Sequence, residues 1–426
     1  MNSTPMTRPG LSRQRIVDPL FRKLVLKHLS KLRDGRLHIE NDSGTCSVGE
    51  LTERCSIEVT LRIHDPAAYR RIALRGSIGA GESYMDRQWS CDDLTGLMRL
   101  LVVNRPAMDD LEMGFARLAQ PMFHAYHWLH RNTVAGSRQN ISAHYDLSNE
   151  FYQLFLDETL MYSCAVFPDS ASTLFDASVA KNDLICRKLA LNPSDHLLEI
   201  GTGWGGFALH AARHYGCRVT TTTISTRQWE LAKKRVAEAG LEDRITVLLE
   251  DYRRLHGCYD KIVSIEMLEA VGHAYYDTYF AKCGELLQQD GMMLLQTITI
   301  ADQIYEKAKQ SVDFIQRYIF PGGCLPSVTA IAHSLTGATD LRIFHLDDIG
   351  PHYVTTLQHW RKRFFEQIDR VRELGFSDRF IRMWEFYLCY SEGGFAERAI
   401  GNVQMLLTKP GCRRAPLAAT GTAQVL

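Results

Sequence analysis

No stretch of this 426-residue sequence approaches the roughly 18 to 20 uncharged apolar residues that a membrane span needs, and its start lacks the short apolar core of a secretory signal. No two of the eleven cysteines form a C-x-x-C pair, and no His/Cys cluster has metal-ligand spacing. These absences argue against a zinc framework and a disulfide scaffold; they point to free thiols in a reducing, cytoplasmic compartment. Net charge is missing too. Lys+Arg and Asp+Glu number 49 each, so the strongly basic footprint of a nucleic-acid binder is not there. There is no internal repeat and no low-complexity tract, except that residues 411–426 read as a disordered tail.

With 45% hydrophobic residues, the chain can bury one large core and a smaller second one, because single cores stop growing at roughly 250 to 300 residues. Two domains are therefore expected. Between Arg13 and Arg33, Val17, Leu20, Phe21, Leu24 and Val25 alternate with Arg22, Lys23, Lys27 and Lys31 at helical spacing. Such a basic amphipathic helix either packs on its own domain or lies on an anionic membrane surface. Short alternating runs from Leu37 to Leu74, clearest over Ser56–Ile63, predict strands of a small α+β domain within 1–104. The pattern turns helical from Leu94 to Asn132, broken by Pro106 and Pro121, and predicts a helical linker over 105–139.

Residues 140–410 carry the strongest pattern. Apolar runs at His196–Ile200, Arg218–Thr221, Ile245–Leu249, Asp260–Ile265 and Met292–Ile298 alternate with helical segments, one of them Gln228–Ala239 closed by Gly240. This alternation predicts an α/β fold with an open, mostly parallel sheet covered on both faces. From Ala301 to Met405 the pattern is mostly helical, over Ser311–Tyr318, Thr355–Leu374 and Phe380–Tyr390.

Directly after the first of those strands, Glu199-Ile200-Gly201-Thr202-Gly203-Trp204-Gly205-Gly206 runs into a helical segment. Glycines let the backbone turn sharply and approach a ligand, and the helix N-terminus offers unpaired N–H groups. Alone, such a loop also serves as a plain strand-to-helix turn. Dinucleotide enzymes space these glycines G-x-G-x-x-G and place an acid about 20 residues on. Here the second strand ends in Thr221-Thr222-Thr223-Ile224-Ser225, without a carboxylate. Ribose hydroxyls would meet hydroxyl and amide groups such as Thr223 and Gln228, with Ser225 between them. Asp251 and Tyr252, after the third strand, offer an acceptor and a flat ring suited to adenine. The E-x-G-x-G-x-G spacing resembles the first motif of Rossmann-like methyltransferases, which bind S-adenosylmethionine.

A more specific resemblance runs over nearly the whole chain. Asn140–Asn149 with its His144-Tyr145-Asp146-Leu147, and Met161–Phe167 with its Tyr162-Ser163-Cys164-Ala165, are similar to signatures of cyclopropane fatty acid synthases and mycolic acid cyclopropane synthases. Met267–Gly272, Tyr318–Ser327 and His352–Leu357 follow in that family's order, and Ile78–Asp86 resembles a block in the N-terminal lipid-associated domain of its phospholipid-acting members. The resemblance implies a class I methyltransferase sheet with a helical lipid-binding cap. It also implies transfer of the one-carbon group of S-adenosylmethionine to the cis double bond of a phospholipid acyl chain, giving a cyclopropane fatty acid. The same chemistry ending in a methylene- or methyl-branched chain is the alternative. Carried over residue by residue, the cofactor set is Tyr145, Tyr162, Ser163, Glu199, Gly201, Gly203, Gly205, Thr223, Ser225, Gln228, Asp251 and Tyr252.

In that family a bicarbonate ion beside the cofactor's methyl group serves as base. The resemblance assigns its ligands to the Cys164 and Ile298 amides, the Glu269 carboxylate and the Tyr353 phenol. A carboxylate would meet that anion only through a shared proton. Each residue has an ordinary reading as well: Cys164 as a small buried hydrophobe, Glu269 as a helix N-terminal acid, Tyr353 as a core aromatic. Two positions depart from the pattern. Gln296 stands where the best-known bacterial members carry a histidine, and an amide can donate and accept hydrogen bonds but takes up no proton. Glu266 replaces a glycine whose carbonyl touches the ion in mycolic acid enzymes, a change that leaves the backbone carbonyl in place.

The cap aromatics Phe314, Tyr318, Phe320, Trp360, Phe364, Phe365, Trp384, Phe386 and Tyr387 are expected to line an acyl tunnel, where ring faces would stabilise a cation. Expected partners are unsaturated phospholipids at the inner membrane surface, with peripheral association, and a second copy of the chain. Two other classes remain in view. A methyltransferase acting on oxygen, nitrogen or RNA would need a basic groove or a polar-substrate motif after the fourth strand, and neither is seen; an inactive lipid-binding protein would not need the glycine loop.

Overall fold

The computed structural model describes residues 14–42, 44–105, 132 and 147–417. The chain divides into two compact units, residues 1–120 with 379–386, and 121–378 with 387–426.

The first unit holds strands β1 (Arg36–Asn41), β2 (Gly44–Val48), β3 (Glu58–Ile63) and β4 (Trp89–Cys91) in a sheet of order β2-β1-β3-β4. The predicted basic helix forms over Gln14–Leu29. Val25, Leu29 and Leu32 are buried, while Leu20 is 66% exposed. Strand prediction fails at Leu74, which lies in the helix Ala67–Met85. Gly76, with φ 53° and ψ −131°, breaks that helix into two. Gly79 follows the break, and a Cβ there would stand 2.0 Å from the Arg71 carbonyl oxygen. The glycine of the Ile78–Asp86 block thus permits a close backbone approach. Tyr84 of the same block donates to Glu385 at 2.7 Å and lies under the Arg382 guanidinium, 3.7 Å from its ring centre.

The second unit is built on β5 (His196–Ile200), β6 (Arg218–Thr223), β7 (Ile245–Leu249), β8 (Tyr259–Ile265), β9 (Leu287–Ile300), β10 (Arg342–Asp348) and β11 (Ile400–Thr408). Their order is β10-β11-β9-β8-β5-β6-β7, with β11 antiparallel to both neighbours. This is the seven-stranded sheet of class I methyltransferases. Side chains alternate between two cores. Leu198, Ile262, Met293, Leu295 and Met405 face one, with the helices Tyr276–Leu286 and Val328–Ala338. Leu197, Val263, Met292, Leu294 and Leu406 face the other, with Leu174–Leu189 and Gly206–Tyr215.

The five sequence-predicted strands are all present, and Gln228–Ala239 forms as Thr226–Glu238. The expectation that 301–405 is mostly helical missed β10 and the start of β11. Asn402 and Gln404 put two polar side chains on β11, and polar residues on a buried strand dilute its apolar signal. Residues 411–417, assigned to the tail by composition, are tied in: the Gly411 amide donates to Gln289 at 3.0 Å, and Arg414 to the Arg187 carbonyl at 3.1 Å. The rest of that tail, the linker apart from residues 105 and 132, and Tyr145 lie outside the described residues.

Candidate active site

Strands β5 and β8 are neighbours in the centre of the sheet whose connections leave in opposite directions, the crevice where open α/β sheets take their ligands. After β5, Gly201, Gly203 and Gly205 take φ of 105°, 51° and 83°. The helix Gly206–Tyr215 then starts from Gly205, which has no side chain to cap its first N–H groups, and such groups suit an anion. A Cβ on Gly203 would meet none of the described residues within 4 Å. Glu199, buried, accepts from Thr221 at 2.6 Å, and burial pushes its carboxyl up to about 8. Thr223 donates to Gln228 at 2.8 Å, and the Ser225 hydroxyl caps the next helix by accepting from the Gln228 amide at 3.4 Å. Asp251 is gripped by Arg253: Oδ1 accepts from its backbone amide at 3.0 Å and from Nε at 2.8 Å, Oδ2 accepts from Nη2 at 2.7 Å, and Oδ2 keeps a lone pair for a further donor. Tyr252 packs against Tyr279, ring centres 5.3 Å apart. This donor set and the bare glycine face fit S-adenosylmethionine: the helix start for its carboxylate, Thr223 and Gln228 for its ribose, Asp251 and Tyr252 for its adenine.

The predicted catalytic residues come together beside this loop, around a residue the sequence reading had counted only as a backbone carbonyl. Glu266 directly follows β8 and sends its carboxylate inward. Oε1 accepts from the Cys164 amide at 2.9 Å, from Gln296 Nε2 at 2.9 Å and from Asn402 Nδ2 at 2.6 Å; Oε2 accepts from the Tyr353 hydroxyl at 2.6 Å. The Ile298 amide donates to Glu269 instead. Glu269 Oε1 takes that bond, while its buried Oε2 has no hydrogen-bond partner among the described residues. Burial, then the charge of Glu266, pushes the Glu269 carboxyl up to about 8. The Cys164 thiol is completely buried and pushed far up by that burial, so its useful group is the amide. The donors expected to hold bicarbonate are spent on the chain's own carboxylates, and this arrangement does not fit the ion.

Behind Glu266 a row of polar groups crosses the core. Asp347, Gln404 and Gln296 are cross-strand neighbours on β10, β11 and β9. Lys188 pairs with Asp347 and donates to Gln404 Oε1 at 2.7 Å; Gln404 Nε2 donates to Gln296 Oε1 at 2.9 Å. An ammonium can only donate, so it fixes both amides with nitrogen toward Glu266. A second buried ammonium, Lys181, donates to Ser163 at 3.2 Å; burial pulls it down to about 8, against the opposing pull of Glu266. Sequence reasoning missed Lys181, Lys188, Asn402 and Gln404. The available signal was the i, i+2 spacing of Asn402 and Gln404 on an otherwise apolar strand.

Aromatic rings adjoin the cluster. Tyr353 stacks at 4.4 Å on Phe395, and Trp360 lies 6.0 Å from Tyr353 and 5.1 Å from Tyr162, whose hydroxyl meets that of Tyr387 at 2.9 Å. The expected tunnel set divides. Phe320, Trp360 and Tyr387 join this group, whereas Phe364 packs on Phe151 and Phe365 is 37% exposed. Phe314 packs on Tyr318. Trp384 and Phe386 belong to the first unit, against Phe380 and Tyr84.

Residues 133–405 match the mycolic acid cyclopropane synthetase family. The chain belongs to that family. It is 40% identical over 363 residues to the tuberculostearic acid methyltransferase UfaA1 of Mycobacterium tuberculosis, covering 83% of this chain and 84% of that one. It is 36% identical over 385 residues to the cyclopropane-fatty-acyl-phospholipid synthase of Escherichia coli, covering 87% and 95%. Among solved structures, the cyclopropane synthase MmaA2 from Mycobacterium tuberculosis superposes with a TM-score of 0.59 at 31% identity, over 64% of this chain and 98% of that one. Mycolic acid cyclopropane synthase CmaA1 complexed with SAH and CTAB gives 0.58 at 33%, with the same coverage. This member of the mycolic acid cyclopropane synthetase family is an S-adenosylmethionine-dependent methyltransferase.

The raised Glu269 carboxyl has a stability consequence. Its folded form keeps a proton that the unfolded chain releases near 4.5, so this contribution is complete below about 4.5 and is lost as pH rises through about 8. His210, pulled down to about 4 by burial, acts in the opposite sense below its ordinary 6.5. The informative measurement is therefore the difference between the chain and its Glu269→Gln variant. In thermal melts without ligand, the variant is expected to lose less stability than the parent between pH of about 5 and 8; parallel curves would mean Glu269 is ionised throughout.

Proposed function

We propose that this methyltransferase adds the one-carbon group of S-adenosylmethionine to the cis double bond of an unsaturated acyl chain in a phospholipid, forming a cyclopropane fatty acid. The observation that carries this reading is the polar cluster on the half-buried Glu266, with aromatic rings against it and the cofactor loop beside it. Bound S-adenosylmethionine supplies an electrophilic methyl on a positively charged sulfur. The faces of Tyr162, Tyr353 and Trp360 suit a cation on the acyl chain, and the burial of Tyr353 and Trp360 keeps water from quenching it. Ring closure then needs a proton taken from the added carbon.

A second reading is supported by Gln296. Both ends of its amide are hydrogen-bonded, and an amide, which takes up no proton, stands where the resemblance implies a histidine. A proton lost from a neighbouring chain carbon would give a branched product, and the two relatives above bear names from both chemistries. The first unit, with its basic helix and exposed Leu20, is proposed as the part that meets the lipid surface.

The test uses anionic vesicles of unsaturated phospholipid and cofactor with a deuterated methyl group. Protein should sediment with the vesicles, and esterified chains should gain one carbon carrying two deuteriums, with no double bond left. A surviving double bond or three retained deuteriums would select the branched product. No label in lipid would sink the acyl-chain reading.

A further inference from the structure

Position 266 is anomalous in its backbone as well as its side chain. Glu266 has φ of 49°, a left-handed conformation that glycine adopts freely and a residue with a Cβ does not. A strained conformation kept at a buried polar cluster argues that the side chain is needed there. That side chain collects four donors, two of which, the Cys164 amide and the Tyr353 hydroxyl, are those assigned by resemblance to bicarbonate. Gln296, in the place of the histidine, is a third, and Asn402 the fourth. A carboxylate and bicarbonate present the same flat pair of oxygens, so a cradle shaped for one is filled by the other. The remaining expected donor, the Ile298 amide, is on Glu269. Glu269 itself, pushed up to about 8, holds a proton at neutral pH.

We propose that Glu266 is the proton-accepting base of this enzyme, a carboxylate built into the chain in the place of bicarbonate. The inference rests on the alkene-methylation reading above. The π pair of the acyl double bond makes the new carbon–carbon bond, the carbon–sulfur pair leaves with sulfur, and the other alkene carbon becomes cationic. Glu266 takes a proton from the added carbon, the pair left by that C–H bond closes the ring, and the carboxyl becomes neutral. If Glu266 takes a proton from a neighbouring chain carbon instead, the pair of that C–H bond becomes a new double bond. Either way the proton returns to water after product leaves. Protons beside a carbocation are so acidic that a carboxylate held by four donors is base enough.

The experiment uses the full chain saturated with S-adenosylhomocysteine, whose affinity also reports intact folding of each variant. Binding of carbon-13 bicarbonate is read from its NMR line width, and turnover on unsaturated phospholipid is measured in carbon-dioxide-depleted buffer with and without bicarbonate. The parent chain should leave the line sharp and change turnover less than about twofold on adding bicarbonate, while Glu266→Gln, which keeps the shape but not the base, should lose about 10²–10⁴-fold without rescue. Glu266→Gly suits the backbone and empties the cradle; it should lose a similar factor, broaden the line, and regain at least about tenfold with bicarbonate or formate. Line broadening by the parent chain, bicarbonate-dependent turnover of the parent, or a Glu266→Gln enzyme that still turns over would each overturn the proposal. A parent inactive on every lipid would instead sink the alkene reading, and the binding arm would still decide what fills the cradle.

Discussion

Gly201→Val should weaken S-adenosylhomocysteine binding by about 100-fold or more, since placing a branched residue in a forbidden region costs about 1–3 kcal/mol before any contact with the ligand is counted. Gly201 has φ of 105°, and a Cβ there would lie 3.3 Å from the Met267 side chain. The valine can relieve its strain only by moving the loop, and the loop carries the uncapped helix start. Calorimetric titration measures the loss, and a thermal melt separates it from global unfolding. Affinity within about threefold of the parent would mean that this loop is a turn and not a cofactor cradle.

Gln404→Leu is expected to lower unfolding free energy by about 2–4 kcal/mol, because it strands the buried Gln296 Oε1 and removes one acceptor from Lys188, each orphaned group costing about 1–3 kcal/mol. Turnover should fall as well. Without Gln404 as donor, Gln296 is held only through its nitrogen, which donates to Glu266 at 2.9 Å and to the Cys164 carbonyl at 3.3 Å, so the group beside Glu266 is less firmly placed. Denaturant titration and initial rates check both parts. Gln296→Leu combined with Gln404→Leu should recover part of the lost stability, since removing both members of a buried pair costs less than removing one. A Gln404→Leu chain as stable as the parent would show that the row is not an energetic unit.

These two substitutions mark the boundary of what the sequence makes legible. Gly201 belongs to a local signal, in which a strand, a glycine loop and a helix are contiguous and each follows from period and turn chemistry. The five apolar runs behaved the same way and predicted the parallel strands. The Glu266 cluster is not local. Cys164, Glu266, Gln296, Tyr353 and Asn402 converge from 164 to 402 in the chain, and no spacing rule connects them. Resemblance named Cys164, Glu269, Gln296, Ile298 and Tyr353, which the structure brings together. It says nothing of the Glu266 side chain, because it describes that position only by its carbonyl. The structure adds what no pattern supplies: four donors from four segments aimed at one carboxylate. The helix Ala67–Met85 was misread for a simpler reason. Its glycines and break at Gly76 blur the 3.6-residue period on which helix recognition depends.

The place of β11 bears on how the molecule comes into being. It is later in the chain than both its neighbours, β9 and β10, yet lies between them. As the polypeptide leaves the ribosome, the long and largely apolar β9, with Met292, Met293, Leu294 and Leu295, must wait with one edge unpaired while more than a hundred further residues are made. An open apolar edge is a template for wrong partners. Asn402, and Gln404 with its link to Gln296, arrive with that same late strand. Closing the sheet and completing the polar cluster are thus a single event in the life of the nascent chain.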